Sequence, residues 1–395
     1  MTPPREMQYC TKCVYPAASA APLAFGEDGV CSGCRVSGQK DRVDWEQRTE
    51  ELREIFEEYR CTDGSNYDCL IPVSGGKDSH FQTYLVTQVF KLRPLLVTYH
   101  GNNYLPVGLR NLRNLRERFG CDHMFFSPSV EALKKLNRLC FRMMGDMNWH
   151  AHCGIFTYPV QMAVKMRIPL IVWGEHGFMD LAGMYSMNDR IEMTAKFRLE
   201  HAQRGYDWHD MVEDTEGLTA QDLTWARYPS DDELSDVGVR GIYLGNYVNW
   251  EANRQTELMV KDWGFEPNPE PFERTYRRMS NLDDMHENGA HDYLKYIKFG
   301  YGRGTDHACK DIRAGKMTRD EGIEMVRRYD AVKPMKDLTR WLEYVGMSEA
   351  EFDATADTFR DPRVWVKDDD GRWAKDNIWD FDCRSAAQAT APARG

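Results

Sequence analysis

Pro72-Val73-Ser74-Gly75-Gly76-Lys77-Asp78-Ser79 is the stretch of this 395-residue chain that decides its fold. A short apolar run precedes the stretch, and residues 80–90 after it have a helical pattern. Between a strand and a helix, glycines let the backbone approach an anion, and the free amides and positive end of the helix point toward it. Lys77 adds a positive charge, and Ser74 and Ser79 add hydroxyl donors. The stretch therefore predicts a phosphate-binding loop.

The spacing of this loop differs from a Walker loop, which has the pattern G-x-x-x-x-G-K-[ST]. It resembles the pyrophosphate-binding loop (PP-loop) of the ATP pyrophosphatases. Those enzymes cleave ATP between the α- and β-phosphates and adenylate a substrate oxygen. The alternative is a tight glycine turn in which the serines and the lysine are merely solvated.

Strands and helices alternate on both sides of the loop, which predicts an α/β fold with a doubly wound parallel sheet. In such a sheet the ligand crevice lies at the carboxyl ends of the strands. The predicted strands are 69–73, 94–100, 122–126, 170–173 and 241–244. The predicted helices are 45–59, 80–90, 106–119, 130–144, 159–166 and 251–263.

The chain divides into four predicted regions. Residues 1–44 form a zinc ribbon, and residues 45–265 form the ATP-binding α/β domain, with an inserted cap at 177–239 over the crevice. Residues 266–383 form a helical C-terminal portion, because their apolar residues recur with helical spacing. Residues 384–395, rich in alanine, arginine and proline without periodicity, form a disordered tail.

Four cysteines have the spacing of a structural metal site. Cys10-x-x-Cys13 and Cys31-x-x-Cys34 are two knuckles that together close a tetrahedral zinc site. A redox dithiol pair, an iron–sulfur cluster and unligated cysteines are the alternatives. A second group fits no zinc spacing, and packed thiols are expected there; it contains Cys140, His150, His152 and Cys153.

Composition excludes several classes of protein. A formal net charge of −11 argues against wrapping a nucleic acid by bulk electrostatics. No apolar run approaches the length of a membrane span, and residues 1–9 have no signal-peptide pattern. We therefore expect a cytoplasmic protein whose eleven cysteines are reduced thiols or metal ligands.

Further segments indicate which family of PP-loop enzymes the chain resembles. They are 173–175 (Trp-Gly-Glu), 238–240 (Gly-Val-Arg), 243–245 (Tyr-Leu-Gly), 281–284 (Asn-Leu-Asp-Asp) and 291–303. With these segments, the loop and the cysteine pairs, most of the chain resembles the N-acetyl sugar amidotransferase family. These PP-loop enzymes of bacterial surface-polysaccharide (lipopolysaccharide) and nonulosonate pathways convert an acetamido group into an acetamidino group.

The resemblance implies an adenylation. The acetamide oxygen attacks the α-phosphate of ATP, pyrophosphate leaves, and ammonia displaces AMP from the resulting O-adenylyl imidate. Ser74, Gly75, Gly76, Lys77 and Ser79 would hold ATP and the departing pyrophosphate. The catalytic residues would be Lys77, Asp78 and Glu175, of which Asp78 and Glu175 would hold Mg²⁺. Thr98 and Tyr99 would lie near the adenine.

These assignments have simpler alternatives. Asp78 could be an ordinary helix cap, and Glu175 could be a solvated turn residue. Segment 292–313 is the candidate for the sugar end, with Lys295, Lys298 and Arg303 as substrate-binding residues. A basic solvated helix face is the alternative for those three side chains.

No glutaminase half is visible in the sequence, so ammonia must be free or come from a partner. In the resembled family the partner is a HisH-like glutaminase with a HisF-like channel subunit. The alternative enzyme is a PP-loop tRNA thiolase, with Cys153 as its catalytic cysteine. A non-catalytic nucleotide-binding protein, in which the ribbon recruits partners, is a third class.

Overall fold

A five-stranded parallel sheet lies at the centre of the protein. The computed structural model describes residues 7–21, 23–213, 215–279 and 287–380. The strands are β1 Cys69–Pro72, β2 Pro94–Tyr99, β3 Asp122–Phe126, β4 Leu170–Trp173 and β5 Arg240–Tyr243. Their order is β3-β2-β1-β4-β5, so the winding reverses between β1 and β4. The predicted doubly wound parallel sheet is confirmed.

Fifteen helices occur in the described residues: α1 Ser32–Ser37, α2 Trp45–Tyr59, α3 Lys77–Tyr84, α4 Pro106–Phe119, α5 Val130–Met144, α6 Trp149–Met166, α7 Gly177–Ala182, α8 Ala195–Phe197, α9 Asp231–Val237, α10 Ala252–Asp262, α11 Asn288–Phe299, α12 Arg303–Arg313, α13 Arg319–Tyr329, α14 Met335–Val345 and α15 Glu349–Asp357. Shorter 3₁₀ or π segments are Lys40–Arg42, Leu85–Val89, Arg198–Ala202, Trp208–Met211, Thr224–Ala226 and Leu244–Asn246. A small antiparallel pair, Val366–Lys367 with Trp373–Ala374, comes last.

Both faces of the sheet are covered by helices, as a parallel sheet requires. On one face Leu70 and Val97 pack with α5 and α6; on the other Ile71 and Leu96 pack with α2 and α4. Neighbouring residues along β1 and β2 therefore contribute to different cores, which is why these strands read as continuous apolar runs.

Helix α6 differs from its prediction. The sequence places its start at Pro159, because proline favours the first turn of a helix. In the structure the helix runs from Trp149 to Met166 with Pro159 inside it. The earlier turns are stabilised by packing, since Trp149 and Cys153 belong to the same buried core as β2. Tertiary packing outweighs the local cost of the proline.

The helix after the loop also begins earlier than expected. It starts at Lys77 rather than His80, with Gly76 as its N-cap, and continues after Tyr84 as a π turn. The Gly76 residue is extended and precedes the first helical amides, which therefore open directly onto the loop.

The C-terminal helical portion is confirmed. Helices α11, α14 and α15 bury Leu294, Trp341 and Phe352 against Phe141 of α5. The region boundaries given above remain predictions. The segment 281–284 and the tail 384–395 lie outside the described residues.

The N-terminal ribbon packs into the rest of the protein. Its cysteines share a buried cluster with Cys309 of α12 and Val326 of α13, and the Tyr15 hydroxyl donates to Asp306 over 3.0 Å. Its helix α1 lies against α7, where a Cβ built on Gly33 would come within 2.6 Å of the Leu181 carbonyl oxygen. The ribbon is thus held between α7 and α12.

None of the helices in the described ranges has both the length and the apolar character that crossing a membrane requires.

Gly33→Ala tests the contact between the ribbon and α7. The added methyl group would meet the Leu181 carbonyl and, closer still, the Arg313 guanidinium. We expect a loss of about 1–3 kcal/mol in the free energy of unfolding, since overpacked sites force backbone shifts. Urea denaturation followed by circular dichroism measures it. Gly177→Ala, where a Cβ meets nothing within 4 Å, is the matched control and should be neutral. Equal stability of the two variants would contradict the tight packing.

Candidate active site

A crevice of about 220 Å³ lies at the carboxyl ends of the strands. Its wall is formed by loop residues Ser74, Gly76, Asp78 and Ser79, by β2, by α6 and by the turn after β4. The crevice therefore lies at the point where the winding reverses, which is where open α/β sheets bind their ligands. The predicted loop, the predicted crevice and the turn at Glu175 come together in one place.

The loop is held in shape by its own serines. Ser79 Oγ accepts from the Ser74 amide at 2.9 Å, and Ser74 Oγ accepts from the Gly76 amide at 3.3 Å. Gly75 has φ +87°, and a Cβ there would come within 2.8 Å of Leu112 Cγ. Only glycine satisfies both the positive φ and the close approach. The loop is thus preformed for an anion.

Lys77 and Asp78 form an ion pair beside the loop, with 2.6 Å between Lys77 Nζ and Asp78 Oδ2. Asp78 lies in the first turn of α3 and lines the crevice, whereas the buried Lys77 does not belong to its wall. This position is compatible with both roles considered for Asp78. It could cap the start of the helix, or it could act as a carboxylate of the binding site.

Glu175 is not a solvated turn residue. Its side chain is 11% exposed and its Oε1 lies 3.3 Å from Lys310 Nζ. Burial raises the pKa of Glu175, an effect that the positive charge of Lys310 opposes. Lys310 also contacts Asp180 Oδ2 at 2.6 Å. Burial lowers the pKa of Lys310, but the negative charges of Asp180 and Glu175 raise it by more. The pKa of Lys310 therefore lies above its usual value.

Thr98 and Tyr99 have different positions. Successive side chains of a strand point to opposite faces, and Tyr99 lines the crevice while Thr98 does not. Thr98 Oγ1 donates to the Val73 carbonyl at 2.7 Å and thereby supports the loop from behind. The Tyr99 hydroxyl lies 3.2 Å from His150 Nδ1, in the core. Tyr99 can therefore contact a nucleotide only through its ring.

The three predicted sugar-binding side chains do not form a solvated basic face. Arg303 pairs with Asp292 at 2.7 Å, and Lys295 pairs with Asp306. Asp292 also pairs with Arg274. The charges of Lys295 and Arg303 are thus used inside the C-terminal helices.

Lys298 lies apart from those pairs. Burial lowers its pKa to about 8, assisted by Arg204 and opposed by Asp146. Of the segment 292–313, it is the last turns of α12 that approach the crevice, because Lys310 contacts Glu175 of its wall.

The sequence reasoning missed Lys310, Asp180 and Arg313. Lys310 lies 135 residues from its partner Glu175, a separation over which no sequence pattern operates. Arg313 donates to the carbonyls of Asp180 and Leu181 and lies 3.6 Å from Cys31 Sγ. For Asp180 the sequence offered one local signal, namely an acidic side chain five residues after Glu175.

The four predicted metal ligands come together. The Sγ atoms of Cys10, Cys13, Cys31 and Cys34 lie within 4.8 Å of one another and are buried. Cys10 and Cys34 are 4.0 Å apart, and Cys13 and Cys31 are 3.7 Å apart. A tetrahedral zinc with Zn–S bonds of about 2.3 Å places its sulfurs about 3.8 Å apart. Backbone amides donate to Cys10 Sγ, as around a thiolate ligand. The donor set fits zinc.

The second group of cysteines and histidines forms no metal cluster in the described residues, where the four ribbon cysteines are the cluster found. Cys140 contacts Met211, and Cys153 contacts Thr157. Burial raises the pKa of Cys153 to about 12. The expectation of packed thiols is confirmed.

Comparison with known families identifies the C-terminal helices. Residues 273–379 match the family described as "LPS biosynthesis protein WbpG-like, C-terminal domain". We call this matched region the WbpG-like domain, after the family that it is similar to. This WbpG-like domain includes α11 to α15 and therefore Lys310 and Arg313. The resemblance predicted from the sequence is confirmed in this domain.

One curated relative is an uncharacterized protein of Methanocaldococcus jannaschii, 25% identical over 138 residues. The match covers 34% of this chain and 49% of the relative, so the chain spans about half the length of that relative.

Three solved structures share part of the fold at low similarity. An NH3-dependent NAD synthetase from Campylobacter jejuni is 13% identical, with 37% of this chain and 62% of that chain covered and a TM-score of 0.28. An NMN synthetase from Francisella tularensis is 12% identical, with 57% and 99% covered and a TM-score of 0.29. An NAD+ synthetase from Burkholderia pseudomallei is 13% identical, with 59% and 94% covered and a TM-score of 0.24. The strand order and the loop described above establish, without these structures, a parallel five-stranded sheet with a glycine-rich loop where its winding reverses.

Zinc content tests the ribbon. We expect elemental analysis of the purified protein to find about one zinc per chain. The variant Cys34→Ser should lose its zinc and have a lower melting temperature, because the metal supplies much of the folding energy of a small ribbon. Cys121→Ser, which changes a half-buried thiol outside the cluster, is the control and should keep its zinc. Iron in place of zinc, or full stability without metal, would contradict the assignment.

Lys298→Met tests the burial of Lys298. The folded-state pKa of about 8 lies below the usual 10.5, so the cost of burying the charge is fully present below pH 8. The cost fades between pH 8 and 10.5, where the unfolded state binds more protons. The variant should thus be more stable than wild type at pH 7, by roughly 1–3 kcal/mol, and the difference should shrink at pH 10. Chemical denaturation at both pH values measures it. Lys196→Met, at an 80% exposed lysine, should show no such trend.

Proposed function

We propose that this protein is an ATP-dependent amidotransferase that converts the acetamido group of an N-acetylated sugar into an acetamidino group in lipopolysaccharide or related surface-polysaccharide synthesis. The observation that carries the proposal is the contact between Glu175, in the wall of the nucleotide crevice, and Lys310 of the WbpG-like domain. This contact brings a domain of the lipopolysaccharide-biosynthesis type to the edge of a PP-loop site. The protein as a whole is thus suited to an ATP-dependent amidation.

Activation of the amide comes first. An acetamide carbonyl is a poor electrophile because the nitrogen lone pair is delocalised, and its oxygen is a poor leaving group. The acetamido oxygen attacks the α-phosphorus of ATP, the bond to the β-phosphate oxygen breaks, and pyrophosphate leaves. The first amides of α3 and the hydroxyls of Ser74 and Ser79 would stabilise its charge, and Lys77 would add a positive charge beside the loop. Since the loop is already shaped, little reorganisation accompanies the reaction.

The amidine forms in the second step. Ammonia adds to the imidate carbon, the carbon–oxygen bond breaks, and AMP leaves with that oxygen. Atoms balance as amide, ATP and ammonia giving amidine, AMP and pyrophosphate, with protons released to solvent.

Mg²⁺ and zinc would have separate places. Asp78 and Glu175 both line the crevice and would hold Mg²⁺, which binds through one or two carboxylates together with phosphates and water. Bound there, the ion would neutralise phosphate charge. Zinc at the four ribbon cysteines would be structural, because four sulfur ligands leave no open position.

Ammonia would come from a HisH-like glutaminase with a HisF-like channel subunit, or from free ammonium. The tRNA thiolase alternative receives no support from the structure. Its candidate nucleophile, Cys153, is buried with a pKa raised to about 12, so it would not be a thiolate at neutral pH.

Product analysis tests the proposal. Protein with ATP, MgCl₂, NH₄Cl and a panel of free and UDP-linked N-acetylhexosamines should release AMP and pyrophosphate in equal amounts, together with an amidine seen by mass spectrometry. Asp78→Asn should lower kcat by about 100-fold or more, as expected for lost charge stabilisation in the transition state. Asp232→Asn, on the exposed helix α9, is the matched control. The absence of acceptor-dependent pyrophosphate release with all sugars would refute the amidotransferase.

A further inference from the structure

A second and larger cavity adjoins the crevice. It measures about 320 Å³ and is bounded by three parts of the protein. The ribbon contributes Lys12 and Gly38 to the wall. The segment after β5 contributes Asn246 and Asn249, and the WbpG-like domain contributes Arg277 and Asp311. Glu175 lines both this cavity and the crevice. The two spaces therefore meet at the carboxylate that Lys310 contacts.

We propose that this second cavity binds the N-acetylated sugar, with the acetamido group directed past Glu175 toward the ATP site. The inference rests on the proposed function, because an adenylating enzyme must bring two substrates within bonding distance. A pocket for one drug-sized ligand measures about 300–1,000 Å³. The crevice, at about 220 Å³, is too small for a nucleotide and a sugar together. The acceptor must reach it from an adjoining space.

The cavity has a preformed polar wall suited to sugar hydroxyls. Asp311 accepts from Asn253 Nδ2 at 3.1 Å, from Arg277 Nη2 and from the Tyr276 hydroxyl, both at 2.5 Å. These bonds fix the amide and the guanidinium in place. An arginine has five N–H donors and an asparagine both donors and an acceptor, so the wall retains groups for hydroxyl and acetamido oxygens. Fixed donors of this kind favour specific binding.

Trp250 supplies the apolar part of the wall. It lines the second cavity and is 5% exposed, and its indole Nε1 is buried without a hydrogen-bond partner in the described part of the chain. The indole ring, rather than the enclosed Nε1, would cover an apolar face of the sugar.

The charges of the WbpG-like domain agree with this location. Lys295 and Arg303 are neutralised by Asp306 and Asp292 inside the domain. Lys310 instead lies at the junction of the two cavities, bound to Glu175 and Asp180. Lys310 thereby acts as a positioning residue, because it orients Glu175 between the sugar and the nucleotide.

Two bulky substitutions would block the cavity without disturbing the core. Asn249 is exposed, so Asn249→Trp fills the space from the strand-end side. Gly38 is exposed with φ −70°, a conformation open to any residue, so Gly38→Trp fills it from the ribbon side. Asn188→Trp changes an exposed asparagine that does not line the cavity and is the matched control.

Steady-state pyrophosphate release is measured with the acceptor sugar, ATP and ammonium each varied in turn. Both blocking variants should raise KM for the sugar by at least about tenfold and leave KM for ATP within about twofold of wild type, whereas the control should change neither. An unchanged sugar KM in both variants overturns the inference. A rise confined to ammonium or to ATP also overturns it, because the cavity would then serve a different substrate. If wild type releases no pyrophosphate with any acetamido sugar, it is the proposed function that fails.

Discussion

The ion pairs of Lys310 connect the parts of this protein. An ammonium group that is only 18% exposed is costly unless carboxylates surround it, and here Glu175 and Asp180 do so. One carboxylate follows a strand of the central sheet, the other lies on α7, and the lysine belongs to the WbpG-like domain. Removing the lysine takes a cation from both carboxylates, and removing either carboxylate leaves the lysine with only one of these two partners. The position of that domain beside the crevice is therefore fixed by electrostatics as well as by apolar packing.

Arg313, one turn further along α12, extends this connection to the ribbon. It donates to two carbonyls of α7 and lies 3.6 Å from Cys31 Sγ. A guanidinium beside the cysteine cluster favours the thiolate form that a metal requires. The ribbon is consequently part of the wall of the second cavity, and its metal would stabilise that wall. In this arrangement a small metal site supports the space beside the crevice without lining the crevice itself.

Features encoded by neighbouring residues could be predicted from the sequence. The strands were located to within about a residue because apolar runs and turn residues are local signals, and the loop and the cysteine pairs depend on short spacings. The early start of α6 could not be predicted, because packing of Trp149 and Cys153 overrides the preference of Pro159. The contact of Lys310 with Glu175 is equally invisible, since it depends on how two distant segments meet. Lys295 was correctly placed on a helix, but its buried partner Asp306 could not be inferred from helical spacing.

The ribbon has a consequence for the order in which the molecule is made. Its cysteines leave the ribosome long before the residues that cover them, because Cys309, Arg313 and Val326 follow about 300 positions later. Contacts of such long range form slowly, because a large loop must close before they are gained. The sheet and its loop can fold while synthesis continues, whereas the second cavity, whose lining runs from Lys12 to Ala314, is completed only after α12 has been made. The crevice beside the loop can thus form during synthesis before the adjoining space has all of its walls.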